Sequence, residues 1–352
     1  MSTLAEKLDT LSQPGWLVNL MDTQAVRCHA CAHRCLIQPD KRGVCQMRFN
    51  RDGTLMVPWG YVAAVNVDPI EKKPFMHFLP GEDALTFGML GCNFHCDFCQ
   101  NWVSSQALRD PASESSGAYI QQVTPEELVQ YALRSGAKII ASSYNEPLIT
   151  TEWAIDIFTL AKKEGLRCVY VSNGFATPEA LKALQPVLDG YKIDLKCMTD
   201  EKYRSVGGNL QMVLDTIKLA YELGMWVEVV TLIIPGFNDS NEELWESARY
   251  LVSVSPDIPW HVTSFYPTYK HLDGERTSAE VLQRAADIGQ EAGLKYVYAG
   301  NLPGRVGSLE DTHCPNCQQP LIRRTGYIVR ENRVVKDGTC PRCSEKIAGV
   351  WY

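Results

Sequence analysis

The sequence predicts an α/β protein on a parallel sheet, a full or partial (β/α) TIM-like barrel, with a small cysteine-rich module at each end. Three observations carry that reading. Near-continuous apolar segments alternate with amphipathic ones across residues 84–301, the rhythm of parallel strands covered by helices. Six or seven repeats in about 220 residues suit a barrel better than an open doubly wound sheet. No G-x-G-x-x-G follows the first strand, which counts against a dinucleotide-binding fold. The predicted division is an N-terminal module over 1–60, a β/α core over 61–305 and a C-terminal metal-ribbon module over 306–352.

The elements follow in order. "ALTFGML" (84–90) reads as a strand entering a cysteine loop. "TPEELVQYALRSG" (124–136) reads as a helix: Thr124 is the N-cap, Pro125 opens the first turn, Glu127 closes a capping box and Gly136 ends it. Strand 137–145, helix 150–165, strand 167–174 and helix 177–184 come next. Strand 190–196, helix 210–223, strand 226–236, helix 241–253, strand 260–267, helix 277–292 and strand 295–301 complete the series. Polar residues gather at the predicted C-terminal strand ends: Cys92, Asn145 with Glu146, Ser172 with Asn173, Asp194 with Lys196, and His261. In a β/α barrel that rim carries the chemistry.

Composition narrows the function. The chain has 352 residues, 45% hydrophobic and 21% charged, with a net charge of −7, so nothing suggests sequence-independent binding to a phosphate backbone. No apolar run reaches the roughly 18–20 residues that span a bilayer, and the first residues lack a signal-peptide pattern. The expectation is a cytoplasmic protein. Its thirteen cysteines are many for a reducing compartment, where disulfides are rare. Four lie in 28–45, three in 92–99 and four in 314–343, with Cys168 and Cys197 apart. Clusters of that kind point to metal or iron–sulfur ligation, with a disulfide framework as the secreted alternative. Cys168, inside an apolar strand, reads as a small core hydrophobe, and Cys197 as a free thiol near the rim.

Cys92, Cys96 and Cys99 have the spacing C-x3-C-x2-C. They suit a zinc site completed by His95 or a distant ligand, or three corners of a cubane with the fourth iron open. Placement at a strand end favours the open cubane. The spacing, with aromatic Phe98 before the third cysteine, resembles the radical S-adenosylmethionine (radical SAM) superfamily. The runs "DPIEKKPFMHFLPG", "GCNFHCDFCQNW", "SYNEP", "LIIPGFND", "PWHVTSFYPTYK" and "LKYVYAGNLPG" resemble the radical enzyme of the AmmeMemoRadiSam system. That group is in turn similar to pyruvate formate-lyase activating enzymes.

The resemblance implies a [4Fe–4S] cluster on Cys92, Cys96 and Cys99, with S-adenosylmethionine closing the open iron. It implies that Asn145 and Glu146 contact the methionine amino group, and that Ser172 and Asn173 face the ribose or carboxylate. Asp194 and Lys196, two apart on a strand, share a face, and Lys196 would pair with the methionine carboxylate; a rim salt bridge is the alternative. His261 stands near the ribose or is a satisfied core histidine. A flavodoxin or ferredoxin would supply the electron. The substrate would be a glycyl residue of a partner protein, or a different peptide or small molecule linked to Memo-like and AMMECR-like proteins.

Cys314, Cys317, Cys340 and Cys343 form C-x2-C…C-x2-C, a zinc-ribbon spacing in which four thiolates close around zinc or a rubredoxin-type iron. "LIRRTGYIVREN" between the pairs reads as short strands. Cys28, Cys31, Cys35 and Cys45 (C-x2-C-x3-C-x9-C) suit zinc first and an auxiliary [4Fe–4S] cluster next, with His29 and His33 as spare ligands. Two other function classes remain. A zinc-dependent nucleic-acid-binding protein is disfavoured by the acidic chain and thin aromatic interleaving. A multi-cluster electron carrier would not need the Asn-Glu and Asp-Leu-Lys strand ends.

Overall fold

The computed structural model describes residues 3–21 and 23–351; Met1, Ser2, Asp22 and Tyr352, which fall within the predicted modules, lie outside the described residues. Its centre is one eight-stranded sheet in sequential order: β1 (Ala64–Pro69), β2 (Asp83–Gly88), β3 (Ile139–Ser142), β4 (Arg167–Ser172), β5 (Gly190–Asp194), β6 (Trp226–Ile233), β7 (Trp260–Ser264) and β8 (Val297–Gly300). Strands β2 to β8 are all parallel, and β1 pairs antiparallel with β2. Because each strand neighbours the next, right-handed crossovers place the connecting helices on one face. β1 and β8 are the sheet's two edges, so the described sheet is a barrel sector.

The predicted repeats form as elements α1 (Pro125–Ser135), α2 (Thr151–Lys163), α3 (Pro178–Leu184), α4 (Leu210–Glu222), α5 (Asn241–Val254) and α6 (Ala279–Glu291). The start of α1 is fixed by the expected capping box: Thr124 Oγ1 accepts from Glu127 N–H at 3.2 Å, and Glu127 accepts from Thr124 N–H at 2.8 Å. Gly136 stops it in the left-handed region at φ 78°, where a side chain would strain the backbone. Between sheet and helices the core is apolar and rich in aromatic residues. Trp153 of α2, fully buried, meets Phe87 of β2 edge-on with ring centroids 5.7 Å apart.

Several strands went unpredicted: β1, two small antiparallel sheets of the N-terminal module (Val18–Leu20, Val26–Cys28 and Leu36–Ile37; Ser12–Pro14, Thr54–Pro58 and Phe49–Arg51), and the pair Tyr61–Val62 with Gln121–Gln122. The parallel ladders also end one to three residues earlier than the apolar runs suggest. β3 stops at Ser142 because Tyr144 takes φ 70° and turns the chain over the rim. The C-terminal hairpin forms as read, with Pro320–Thr325 pairing Ile328–Asn332.

Both end modules are bound to the body by buried charge. Arg48 forms a two-pronged ion pair with Glu152 of α2 at 2.6 and 2.7 Å, both side chains out of solvent. Arg324 reaches Glu71 at 3.5 Å and donates to Met76 O at 2.8 Å. His77 donates from Nδ1 to Ala348 O at 2.6 Å, and its Nε2 lies 2.5 Å from the Tyr298 hydroxyl. No helix of the described residues is long and apolar enough to cross a membrane.

Candidate active site at the strand rim

The carboxyl ends of β2 to β8 surround a cavity of about 460 Å³, within the size range of small-molecule and cofactor sites. Its walls include Cys92, Cys96, Phe98, Cys99, Asn145, Glu146, Ser172, Asn173, Asp194, Lys196 and His261. Every rim residue singled out in the sequence is thus brought to one place. The three cysteines arrive on the loop after β2, all as free thiols. Cys92 Sγ accepts from Phe94 N–H at 3.3 Å, and Cys99 Sγ lies 3.1 Å from Ser105 Oγ. Burial raises all three thiol pKa values, that of Cys96 to about 12, so a metal must displace protons there. Phe98 is buried against Phe237, ring centroids 5.4 Å apart, and supports the loop from below.

Glu146 buckles two strand ends together. Its Oε1 accepts from Ser172 Oγ at 2.7 Å and Leu148 N–H at 3.0 Å, and its Oε2 from Asn173 N–H at 2.8 Å. A carboxylate offers about four lone-pair sites, so one, on Oε2, is left for a ligand. Burial pushes its pKa up to about 7. Asn145 is turned toward structure instead: its Oδ1 accepts from Met89 N–H at 2.9 Å, holding the start of the cysteine loop. Asn173 reaches the thiols, with Nδ2 3.9 Å from Cys92 Sγ and 2.7 Å from Asn93 Oδ1.

Asp194 pairs with Lys196 at 3.5 Å and, more tightly, with Lys192. Burial opposes the charge on Lys196, but Asp194, Cys96 and Cys99 outweigh it and keep the lysine protonated. A rim salt bridge is present without a ligand, then, and Lys196 sits beside the thiols. Lys192 was missed. The two-residue alternation that links Asp194 to Lys196 extends back to it and was the available signal.

His261 lines the cavity but is tied at Nε2 to Glu228 at 2.7 Å, with both side chains buried. In this structure it is a satisfied histidine. Glu228 was not anticipated, although a glutamate inside the apolar run "WVEVVTLII" signals a buried partner. Cys168 is buried in β4, as expected of a core residue. Cys197 is buried with its thiol toward Thr199 O at 3.6 Å.

The two outer cysteine sets differ in spacing. Cys314 and Cys343 lie 3.5 Å apart at sulfur, Cys317 and Cys340 3.7 Å, and all four donor atoms fall within 4.8 Å of one another. Tetrahedral metal–sulfur bonds of about 2.3 Å put sulfurs about 3.8 Å apart, so this group fits a single metal ion. Among the described residues, Cys28, Cys31, Cys35 and Cys45 do not converge in this way.

A rim site with three free thiols beside a ligand-sized cavity belongs to the β/α enzymes that mount their chemistry at the strands' carboxyl ends. Comparison with known proteins narrows the class. Residues 87–251 match the radical SAM superfamily. The chain is 39% identical over 332 residues to the uncharacterised protein MJ0808 of Methanocaldococcus jannaschii, spanning 93% of this chain and 96% of that one. It is 27% identical over 241 residues to the pyruvate formate-lyase 1-activating enzyme of Escherichia coli K12, spanning 62% of this chain and 93% of that one. Among solved structures, a domain of a pyruvate-formate lyase-activating enzyme from Bacteroides vulgatus aligns at 23% identity and a TM-score of 0.40, covering 46% of this chain and 98% of that one. The match over residues 87–251 is to the radical SAM superfamily, a family that implies a [4Fe–4S] cluster and S-adenosylmethionine.

Proposed function

We propose that Cys92, Cys96 and Cys99 hold three irons of a [4Fe–4S] cluster, and that S-adenosylmethionine occupies the fourth through its amino and carboxylate groups. The observation that carries this is the convergence of three buried free thiols with Glu146, Asp194 and Lys196 on one cavity. When bound, the cluster and S-adenosylmethionine would supply, with one electron from an external donor, the radical chemistry that removes a hydrogen atom from substrate. The chain's own residues do the positioning. The spare lone pair of Glu146 accepts from the methionine amino group, and Lys196, already protonated, releases Asp194 to meet the carboxylate. Asn173, between Cys92 and Glu146, reaches the same ligand. The rim and the module packed over it exclude water.

The substrate in this reading is a glycyl residue of a partner protein, supported by the similarity to activating enzymes for pyruvate formate-lyase and, at 26% identity over 211 residues, for isethionate sulfite-lyase of Oleidesulfovibrio alaskensis. The motif resemblance to the AmmeMemoRadiSam group supports a different peptide or small molecule connected with Memo-like or AMMECR-like proteins. A cytoplasmic flavodoxin or ferredoxin is the donor in either case, and the C-terminal thiols hold a structural zinc.

The test is anaerobic reconstitution with iron and sulfide, followed by dithionite and S-adenosylmethionine. The wild type should release 5′-deoxyadenosine and the Cys96→Ala variant none. Equal release from both, or none from a fully iron-loaded wild type, would sink the reading. Substrate is then read from deuterium transfer into 5′-deoxyadenosine, glycine-labelled partner against other candidates.

A further inference from the structure

The cavity has a second charged side that the proposed reaction does not use. β1 and β8 are the two edges of the sheet, and the lining runs past the rim to residues beyond both. Lys72 and Lys73 come from the segment after β1. Asn301 follows β8, and Tyr327 stands in the turn of the C-terminal hairpin; both line the cavity as well. The thiols, Glu146, Asp194 and Lys196 have roles towards S-adenosylmethionine in the proposed reaction, whereas Lys72 and Lys73 have none.

This side is built by the inner face of β1 and β2. Asn66 and Asp68, two apart on β1, share a face and stand in register with Thr86 and Ala84 of β2. Gly88, two residues beyond Thr86, lies on the same face and leaves room for Tyr144, since a Cβ there would meet Tyr144 Cβ at 2.8 Å. The Tyr144 hydroxyl accepts from Asn66 Nδ2 at 3.0 Å and from Lys73 Nζ at 3.2 Å. Its ring centroid lies 4.6 Å from the same ammonium, a cation–π distance.

Charge does not balance there. Lys73 is 4% exposed, and among the described residues its Nζ donates to the neutral Tyr144 hydroxyl and, at 3.4 Å, to Asp68 Oδ2. Asp68 is held more closely by Lys72, at 2.8 Å, so two ammonium groups share one carboxylate. Glu71 does not make up the difference: its Oε1 accepts from Gly81 N–H at 3.0 Å and faces Arg324 at 3.5 Å. An ammonium offers three donors, and a buried charge is costly until it is paired and hydrogen-bonded. One positive charge and one N–H are left at the cavity wall. The Tyr144 hydroxyl, accepting twice, still has its proton to donate.

We propose that Lys73, with Lys72 and the Tyr144 hydroxyl, binds a carboxylate of the substrate, which is therefore a carboxylic acid, free or within a peptide. The single surplus charge selects the ligand. A carboxylate carries one negative charge, whereas a phosphate monoester carries about −1.5 to −2 at pH 7 and would overfill the site. The inference rests on the radical reaction proposed for the thiols. It adds a substrate class and an orientation, with the acid end at β1 and the reacting carbon towards Cys92, Cys96 and Cys99.

The probe is para-fluorobenzoate, followed by fluorine nuclear magnetic resonance on the reconstituted full chain with S-adenosylmethionine present. It should bind saturably, and more tightly than its neutral isostere para-fluorobenzamide or than para-fluorophenyl phosphate. Lys73→Met should weaken the acid about 10- to 100-fold, the loss of one charge-assisted hydrogen bond, and bring acid and amide to similar affinity. Lys73→Arg should recover most of the difference, which a merely structural lysine would not set. Equal binding of acid and amide by the wild type would overturn the inference without any variant, as would tighter binding of the phosphate. Doubly blocked Gly-Glu that displaces the probe, where blocked Gly-Gln does not, would assign the carboxylate to a peptide. Displacement by neither would assign it to a free acid, and displacement by both would overturn the reading. Cleavage of S-adenosylmethionine is assayed separately. A chain that cleaves it without telling acid from amide refutes only the subsite, and one that tells them apart but never cleaves refutes only the reaction.

Discussion

Glu146→Gln is the substitution that separates binding chemistry from architecture. The carboxylate is buried and accepts three hydrogen bonds, and its pKa is pushed from 4.5 up to about 7. A shift of that size corresponds to about 3 kcal/mol at 1.36 kcal/mol per unit. The raised value means that this contribution is fully present below pH 4.5 and is lost as pH rises through 7. Glutamine removes that cost but sets an NH₂ against one N–H donor, at about 1–3 kcal/mol, so above pH 7 the variant should be close to wild type in stability. Ligand binding should not be spared. Losing one charge-assisted hydrogen bond, about 1.5–3 kcal/mol, weakens S-adenosylmethionine about 10- to 100-fold. Protonation of wild-type Glu146 also removes the acceptor, so wild-type affinity should climb with pH up to about 7 more steeply than that of the variant. The assay is anaerobic calorimetric titration of both proteins from pH 6 to 8.5. Affinities within twofold, or parallel pH profiles, would refute the assignment of Glu146 to the ligand.

Further predictions concern the modules. Arg324→Met strands Glu71 without its buried partner and should destabilise the chain by about 3–5 kcal/mol in urea unfolding. Desolvation lowers the His77 pKa from 6.5 to about 4, so stability should be fully present above pH 6.5 and fall by about 3 kcal/mol as pH drops towards 4. His77→Gln should flatten that acid limb in pH-dependent thermal unfolding. Chelation of the C-terminal metal, or Cys314→Ser, should lower the melting temperature and expose the 306–352 segment to protease while leaving the rim thiols free to bind iron.

The fold was legible because apolar periodicity and capping chemistry agree along the chain. Thr124, Glu127 and Gly136 state a helix's limits in the sequence alone, and the structure keeps them. The rim cysteines were legible for a different reason, since their spacing is local. What stayed hidden depends on long-range pairing. The partnership of Glu228 with His261, of Arg48 with Glu152, and of Asn93 with Asn173 joins residues far apart in sequence. The strand ends were overrun because rim residues such as Asn145 stay buried after the strand has stopped. Most strands of the N-terminal module are two or three residues long, too short for alternation to show.

The most direct test of the central claim is the electron paramagnetic resonance spectrum of the reduced protein with S-adenosylmethionine carrying ¹⁵N in its amino group. If Cys92, Cys96 and Cys99 leave one iron for the ligand, the cluster signal should change on binding and show hyperfine coupling to the label, and both effects should vanish in Cys96→Ala. A reduced cluster whose spectrum ignores the ligand, with no coupling to ¹⁵N, would contradict the account.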